Sequence, residues 1–420
     1  MRMLQIHNPL ETDFEKIDVD PFWNVGNEVE HLNHKIHSYP AKFPAFITQK
    51  AIQYALNDGV LVNTIADIFC GCGTVAFEAK RMGIDFWGCD LNPTAVLIAK
   101  AKSFNYSTNT IKCYFEKILS RFDEYIPTYT LTEPVNERIN YWFYPREIME
   151  LSLLKECILS LVPRNSKYRE YFFCAFSNIL KSTSKWLTKS IKPQIDLEKT
   201  PLRVRQAFIN QCKMMEKATM DSSQYPHSKT IIEQKNALRI RRRDFADLIV
   251  SSPPYVTSYE YADLHQLSTL WLDYASDYRT LRKDSIGSKH STFNGNIMQS
   301  LNQSGKNVVR ALEVVDNSKA KSVAKYYFDM QQITDVCKSV LRQNGMMLMV
   351  IGNTEYKGVL IDNVKHLVES MFNSGFDNIF VTKRKITGKI LTPYRDEKGK
   401  FSSSPDKRKV YSEEFIVIGR

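Results

Sequence analysis

Apolar runs that stop on a glycine, a proline or an acid alternate, along much of this chain, with segments whose apolar residues recur at helical spacing. Asn63 to Phe69 is the first such run, followed by a glycine turn and a helical pattern over Val75 to Met82. Asp85 to Asp90 and the helical Pro93 to Ser103 repeat the unit. Asp247 to Ser251, Gly345 to Gly352, Asn378 to Thr382 and Tyr411 to Ile418 read as later strands. Nearly continuous apolar strands separated by helices predict a parallel sheet covered on both faces, a doubly wound α/β fold.

The rhythm breaks between about 105 and 235, where Pro145 to Leu161 and Tyr168 to Leu187 are helical in period. The expected organisation is therefore a cofactor-binding part over 1–104, a largely helical insertion over 105–235, and a catalytic part over 236–420. Residues 277–317, rich in Ser, Asn, Gly and Lys with weak apolar periodicity, are expected to form a mobile or ligand-ordered loop.

With 420 residues, 43% of them hydrophobic, the chain can bury a sizeable core. It lacks an apolar stretch of about 18 residues and a signal-peptide pattern at its start, so it reads as cytoplasmic and without a membrane partner. The eight cysteines fall mostly in apolar segments with no CxxC pair and no zinc spacing, which predicts buried reduced thiols and no metal. A formal net charge of +11 suits a polyanionic partner. Basic residues concentrate in Lys181 to Arg205 and in Arg239-Ile240-Arg241-Arg242-Arg243. A charge run is usually a solvated face, so the charge acquires meaning only beside the motifs.

Two stretches carry candidate chemistry. Asp67-Ile68-Phe69-Cys70-Gly71-Cys72-Gly73-Thr74 puts two glycines just past a strand, where the chain turns tightly and a ligand can approach the backbone before a helix starts. Asp90, at the end of the next strand, is placed to accept hydrogen bonds from ribose hydroxyls. The third glycine of the dinucleotide fingerprint is missing, as is the GKS or GKT of a phosphate loop. Among common nucleoside cofactors this leaves S-adenosylmethionine. The second stretch, Ser251-Ser252-Pro253-Pro254-Tyr255-Val256, ends the strand at Ala246 to Val250 with two residues that can neither donate to a sheet nor continue a helix.

Together, DIFCGCGT and DLIVSSPPY resemble the cofactor turn and the catalytic SPPY turn of the amino-methylating DNA methyltransferases. His37-Ser38-Tyr39-Pro40-Ala41-Lys42-Phe43-Pro44 resembles the segment that in this family closes over the methionine end of the cofactor. The resemblance covers most of the chain outside the insertion, with Ile68 in place of the usual proline and Cys72 in place of a small residue. It implies a Rossmann-like methyltransferase sheet, S-adenosylmethionine as cofactor, and Lys42, Phe43, Asp67, Phe69, Cys70, Gly71, Gly73, Thr74, Asp90, Leu91 and Asn236 around it. Asn236 stands where an acid often meets the cofactor's adenine amine.

The same resemblance makes Ser252, Pro253, Pro254 and Tyr255 catalytic, and the partner double-stranded DNA, with a cognate restriction endonuclease as a further candidate partner. An exocyclic amine is a poor nucleophile because its lone pair is delocalised into the ring. Hydrogen bonds to the Ser252 hydroxyl and a carbonyl such as that of Pro253 would aim that lone pair at a sulfonium methyl, and Tyr255 would stack on the extruded base. Tyr259, Tyr261 and Asp263 are candidate pocket residues. Arg203, Arg205, Arg241, Arg242 and Arg243 are candidate DNA contacts. The SPPY form points to cytosine N4 in a specific duplex sequence, with the insertion over 105–235 as the target-recognition region, although the order of cofactor turn, insertion and catalytic turn departs from that in which SPPY is more often met in cytosine-N4 enzymes. Adenine N6 is the alternative, RNA a third, and a catalytically silent DNA-binding homologue the reading from another class.

Overall fold

A computed structural model describes the chain apart from residues 1–2, 41, 132–133, 223, 257–259, 287–296, 387–393, 396–400, 403–407 and 410–411. Its frame is an eight-stranded sheet made of β1 (Leu4–Ile6), β2 (Thr64–Asp67), β3 (Asp85–Asp90), β4 (Thr230–Gln234), β5 (Ala246–Ser251), β6 (Leu341–Ile351), β7 (Ile379–Lys385) and β8 (Glu413–Gly419). In these labels the strand order is β1-β7-β8-β6-β5-β2-β3-β4. Strands β4, β3, β2, β5 and β6 are mutually parallel, whereas β8 runs antiparallel between β6 and β7.

From β2 the chain winds outward through β3 and β4, then returns to lay β5 on the other side of β2 and continues to β6. The direction of winding thus reverses between β2 and β5, and an open α/β sheet binds ligands in the crevice outside the carboxyl ends of its strands at such a reversal. Register there is held by pairing of Ile65 with Leu248 and Ala66 with Ile249. At the amino edge the Asp247 carboxylate accepts the N–H groups of Asn63 and Thr64 at 3.0 and 2.8 Å and pairs with Arg342 at 2.7 Å.

Both faces of the sheet are covered. Helices α1 (Ala45–Asn57), α2 (Thr74–Arg81) and α3 (Pro93–Ser103) share one core with the inner strands, built on Ile47, Ile52, Val75, Leu248 and Leu348. Helices Asn317–Val340 and Asn363–Asn373 close the other face through Tyr326, Ile333, Val364 and Met371. A third core joins α4 (Thr108–Tyr125), α5 (Glu137–Trp142), α6 (Pro145–Leu161), α7 (Lys167–Ile179) and α8 (Val204–Ser222) to α3 and to the helix Gln266–Trp271.

Two expectations change. The span 105–235 also contains β4, which pairs in parallel with β3 along Phe86 to Asp90, so the sheet extends into the stretch read as insertion. Its TIIEQ sequence is half polar because an edge strand has a neighbour on one side only. Within 277–317, residues 287–296 lie outside the described residues, but Gln303–Val315 is a helix rather than a loop. Asn302 caps it by accepting the Gly305 N–H at 2.8 Å, and Val308, Val309 and Leu312 bury its inner face. Among the described residues no helix is long and apolar enough to cross a membrane. All eight cysteines are free, and seven are buried.

Candidate active site

The two glycines of the turn are required for different reasons. Gly73 has φ +74° and caps α2 from the left-handed region, and a Cβ there would fall 2.7 Å from the Ala99 Cα on α3. Gly71 has φ +48°, yet the nearest atom to a Cβ built on it is the Tyr39 hydroxyl at 3.7 Å. Gly73 therefore lets two helices close up, whereas Gly71 faces a space bounded by Tyr39. The Gly71 N–H donates to Asp90 Oδ2 at 2.8 Å, and Asp90 Oδ1 accepts the Asn92 N–H at 2.8 Å. Burial raises the Asp90 pKa, and backbone N–H groups oppose that shift. A carboxylate has about four acceptor sites, so beside the backbone N–H groups of Gly71, Leu91 and Asn92 it keeps a lone pair for a ligand hydroxyl.

Around this pair, Leu91 is half-buried and Asn236 follows β4, where the preceding Lys235 N–H donates to the Asp90 carbonyl at 3.0 Å. Asn236 Oδ1 already accepts the Leu238 N–H at 2.9 Å as a helix cap. Phe69 is half-buried, while the side chains of Cys70 and Thr74 are sealed in the core, leaving their backbone as what a ligand could meet.

Asp67 is tied into the sheet through its carboxylate. It is buried, accepting the Ser251 hydroxyl at 2.6 Å and the Phe69 N–H at 3.0 Å, and burial pushes its pKa up to about 7. It braces the ends of β2 and β5 against each other at the reversal. Lys42 is engaged in an ion pair with Glu30 at 2.6 Å and a bond to the His34 carbonyl at 3.1 Å, and Phe43 packs on the core under α1 and α2. The member of that segment that reaches the turn is Tyr39, whose ring stacks on His265 at 5.0 Å. Burial first, then the Asp90 and Tyr261 charges, drive the Tyr39 pKa far up.

The catalytic turn begins where β5 ends. Ser252 donates its hydroxyl proton to the Val350 carbonyl on β6 at 2.9 Å. With that proton committed, the oxygen can only accept from anything else that approaches. The Tyr255 hydroxyl donates to Glu414 Oε1 on β8 at 3.3 Å, and Glu414 Oε2 accepts from Arg384 on β7 through two nitrogens at 3.0 and 2.6 Å. Burial, then the Glu414 charge, push the Tyr255 pKa well up. The Tyr255 ring is half-buried against the core. Pro253 and Pro254 add no donors, so the acceptors at this end have no competing N–H beside them.

Tyr259 lies outside the described residues. Tyr261 is close enough to Asp90 that its pKa is pushed up to about 12, chiefly by burial, whereas Asp263 is held by Arg282 at 2.9 Å. Tyr39, His265, Glu414 and Arg384 escaped sequence reasoning. A signal existed for Tyr39, inside the quoted HSYPAKFP segment, but none for Glu414, which is 159 positions from Tyr255.

The candidate DNA contacts separate into two groups. Arg203 is exposed before α8, and Arg205 makes a bidentate pair with Asp123 at 2.6 and 2.7 Å, both beside the helical core. Arg241, Arg242 and Arg243 are exposed on the segment that descends from the carboxyl edge to the start of β5, with Arg242 over the Phe245 ring at 3.9 Å. A six-residue strand spans roughly 20 Å, so this run sits toward the opposite edge of the sheet from Ser252 and falls outside the site. Among the described residues no group of three His, Cys, Asp or Glu could hold a metal.

A DNA methylase family model, N6_N4_Mtase, matches residues 7–101, which include the glycine turn and Asp90. The chain is 23% identical over 399 residues to the Type II methyltransferase M.MvaI of Kocuria varians, covering 87% of each chain. It is 21% identical over 315 residues to the Type II methyltransferase M.BsoBI of Geobacillus stearothermophilus, covering 63% of this chain and 60% of that one. Over 112 residues it is 30% identical to the Type II methyltransferase M.MjaII of Methanocaldococcus jannaschii, covering 26% of this chain and 21% of that one.

Proposed function

We propose that the chain is an amino-methylating DNA methyltransferase that methylates the N4 amine of cytosine within a specific sequence of double-stranded DNA, a reading supported by the DNA methylase match over residues 7–101 and by the likeness to Type II methyltransferases. The observation that carries the proposal is Ser252: a hydroxyl oxygen at the carboxyl end of β5, its proton held by Val350, one strand from the glycine turn.

S-adenosylmethionine fits the neighbouring crevice, because Gly71 faces a space bounded by Tyr39, Asp90 keeps acceptor capacity and Leu91 and Asn236 flank it. When bound, it supplies an electrophilic methyl group on a sulfonium. The protein's part is to orient the acceptor. The Ser252 oxygen and the Pro253 carbonyl accept the two amine protons, which favours a pyramidal nitrogen with its lone pair directed outward. Methyl transfer to that nitrogen would leave a neutral thioether on the cofactor, and the surplus amine proton would be released to water. No side chain is alkylated, so the buried cysteines stand aside from the reaction. The base reaches Ser252 only when flipped out of the duplex, and the accessible part of the Tyr255 ring provides its stacking face.

Single-turnover methyl transfer at saturating DNA and cofactor tests this. Ser252→Ala is expected to slow transfer by on the order of 10- to 100-fold while cofactor binding persists. Transfer at the wild-type rate would remove Ser252 from the active site.

A further inference from the structure

The segment that brings Tyr39 to the glycine turn is held from outside the sheet. The Ser38 N–H donates to Asn178 Oδ1 at 2.9 Å, the Asn178 amide donates to Gln211 Oε1 at 2.6 Å, and the Gln211 amide donates back to the Ile36 carbonyl at 2.7 Å. Asn178 lies on α7 and Gln211 on α8, 140 and 175 positions from the backbone groups they hold. Every donor in this relay faces an acceptor, and the relay closes on the two residues that flank His37. A third pin lies beside it: His37 Nε2 is 2.9 Å from Ser177 Oγ, which is 2.7 Å from Ser268 Oγ in the helix after the catalytic turn.

Two backbone groups fixed one residue apart leave little freedom for the next residue, and the next residue is Tyr39, the nearest atom bounding the space at Gly71. Gln211 is buried, so loss of its amide partner would leave a polar group in the core without a mate. Resting on the cofactor site assigned above, we propose that Asn178 and Gln211 are positioning residues for the cofactor: the helical region, through this two-amide relay, sets the segment that closes over the glycine turn. Neither side chain needs to touch the ligand. The consequence is that cofactor affinity depends on helices that lie far from the cofactor motif in sequence.

The test titrates S-adenosylmethionine against the full-length protein carrying Asn178→Ala, Gln211→Ala, or both, with Asp90→Ala as the reference for the site itself and thermal unfolding as the check on folding. Each single variant is expected to raise the cofactor Kd about tenfold, equivalent to about 1.4 kcal/mol. The double variant should add little more, since the relay acts as one unit. The cofactor KM should rise in step while kcat changes less than twofold, a split that a general loss of fold would not produce. If Asp90→Ala weakens cofactor binding and neither single variant does, the positioning role is overturned while the site stands. If Asp90→Ala also binds normally, the site assignment falls instead. Additive losses in the double variant, or a kcat loss parallel to a fall in unfolding temperature, would likewise overturn the relay.

Discussion

Ser252 and Tyr255 stand three positions apart in one turn but are held by different strands: Ser252 by the Val350 carbonyl on β6, and Tyr255 by Glu414 on β8. Arg384, buried beside Glu414, fixes the carboxylate that receives the tyrosine proton. Tyr255→Phe keeps the ring and removes this anchor, so it is expected to slow single-turnover transfer about 3- to 10-fold, the worth of one ordinary hydrogen bond. Glu414→Leu removes the acceptor and also unpairs Arg384, so it should lose at least as much, and adding Tyr255→Phe to it should cost nothing further. Fully additive effects would mean that the tyrosine hydroxyl and Glu414 act separately. The strand end, the two missing donors and the hydroxyl of this turn were legible in six residues, because all are local facts. Glu414 was illegible for the converse reason: its contact exists only once β8 has inserted between β6 and β7.

Among elements, those with strong apolar runs were legible and those with mixed composition were not. β3 and α3 begin and end where the pattern placed them, since a continuous buried strand and a proline-started helix leave little choice. β4 was absorbed into the helical stretch and Gln303–Val315 into a loop, because the first is an edge strand and the first turn of the second holds a serine and a glycine, which are weak helix formers. The basic segments separate at this scale too. Replacing Arg203 and Arg205 by Ala is expected to weaken DNA binding and lower its salt slope by about one to two. Replacing Arg241, Arg242 and Arg243 should leave that slope unchanged, because they approach the sheet's other edge. Affinity measured from low to moderate salt distinguishes the groups, and a larger loss from the second set would place DNA on the wrong side of the sheet.

For the whole molecule, burying ionisable groups on both sides of the sheet makes stability depend on pH. His34 and His265 have pKa values lowered to about 4 and His37 and His366 to about 3, from an ordinary 6.5, in each case chiefly by burial. A depressed histidine contributes stability that is complete above about pH 6.5 and is lost as pH falls toward the folded value. Asp67 acts in the opposite sense. Its pKa is raised from 3.8 to about 7, so stability is full below the lower figure and declines as pH rises to the upper one. Asp90, Asp329 and Asp362, raised by burial but less far, stand on the side of Asp67, and the four strongly shifted histidines outweigh them, so the unfolding temperature is expected to fall between pH 6.5 and 4.5. Asp67→Asn should steepen that fall, by removing an opposing group, and should gain on the wild type as pH rises to 7. A flat wild-type profile would contradict the burial of the histidines.

The reversal of winding between β2 and β5 brings an acceptor-only hydroxyl and a glycine turn to one crevice, and the account stands on what that pairing does to DNA. The direct measurement is to incubate the protein with duplex DNA and methyl-labelled S-adenosylmethionine, digest the DNA to nucleosides and identify the labelled base by mass and chromatography. The account predicts N4-methylcytosine, with the label greatly reduced in Ser252→Ala. Label on adenine N6 would overturn the choice of base, and label on a ring carbon, or none in the wild type, would contradict amine methylation itself.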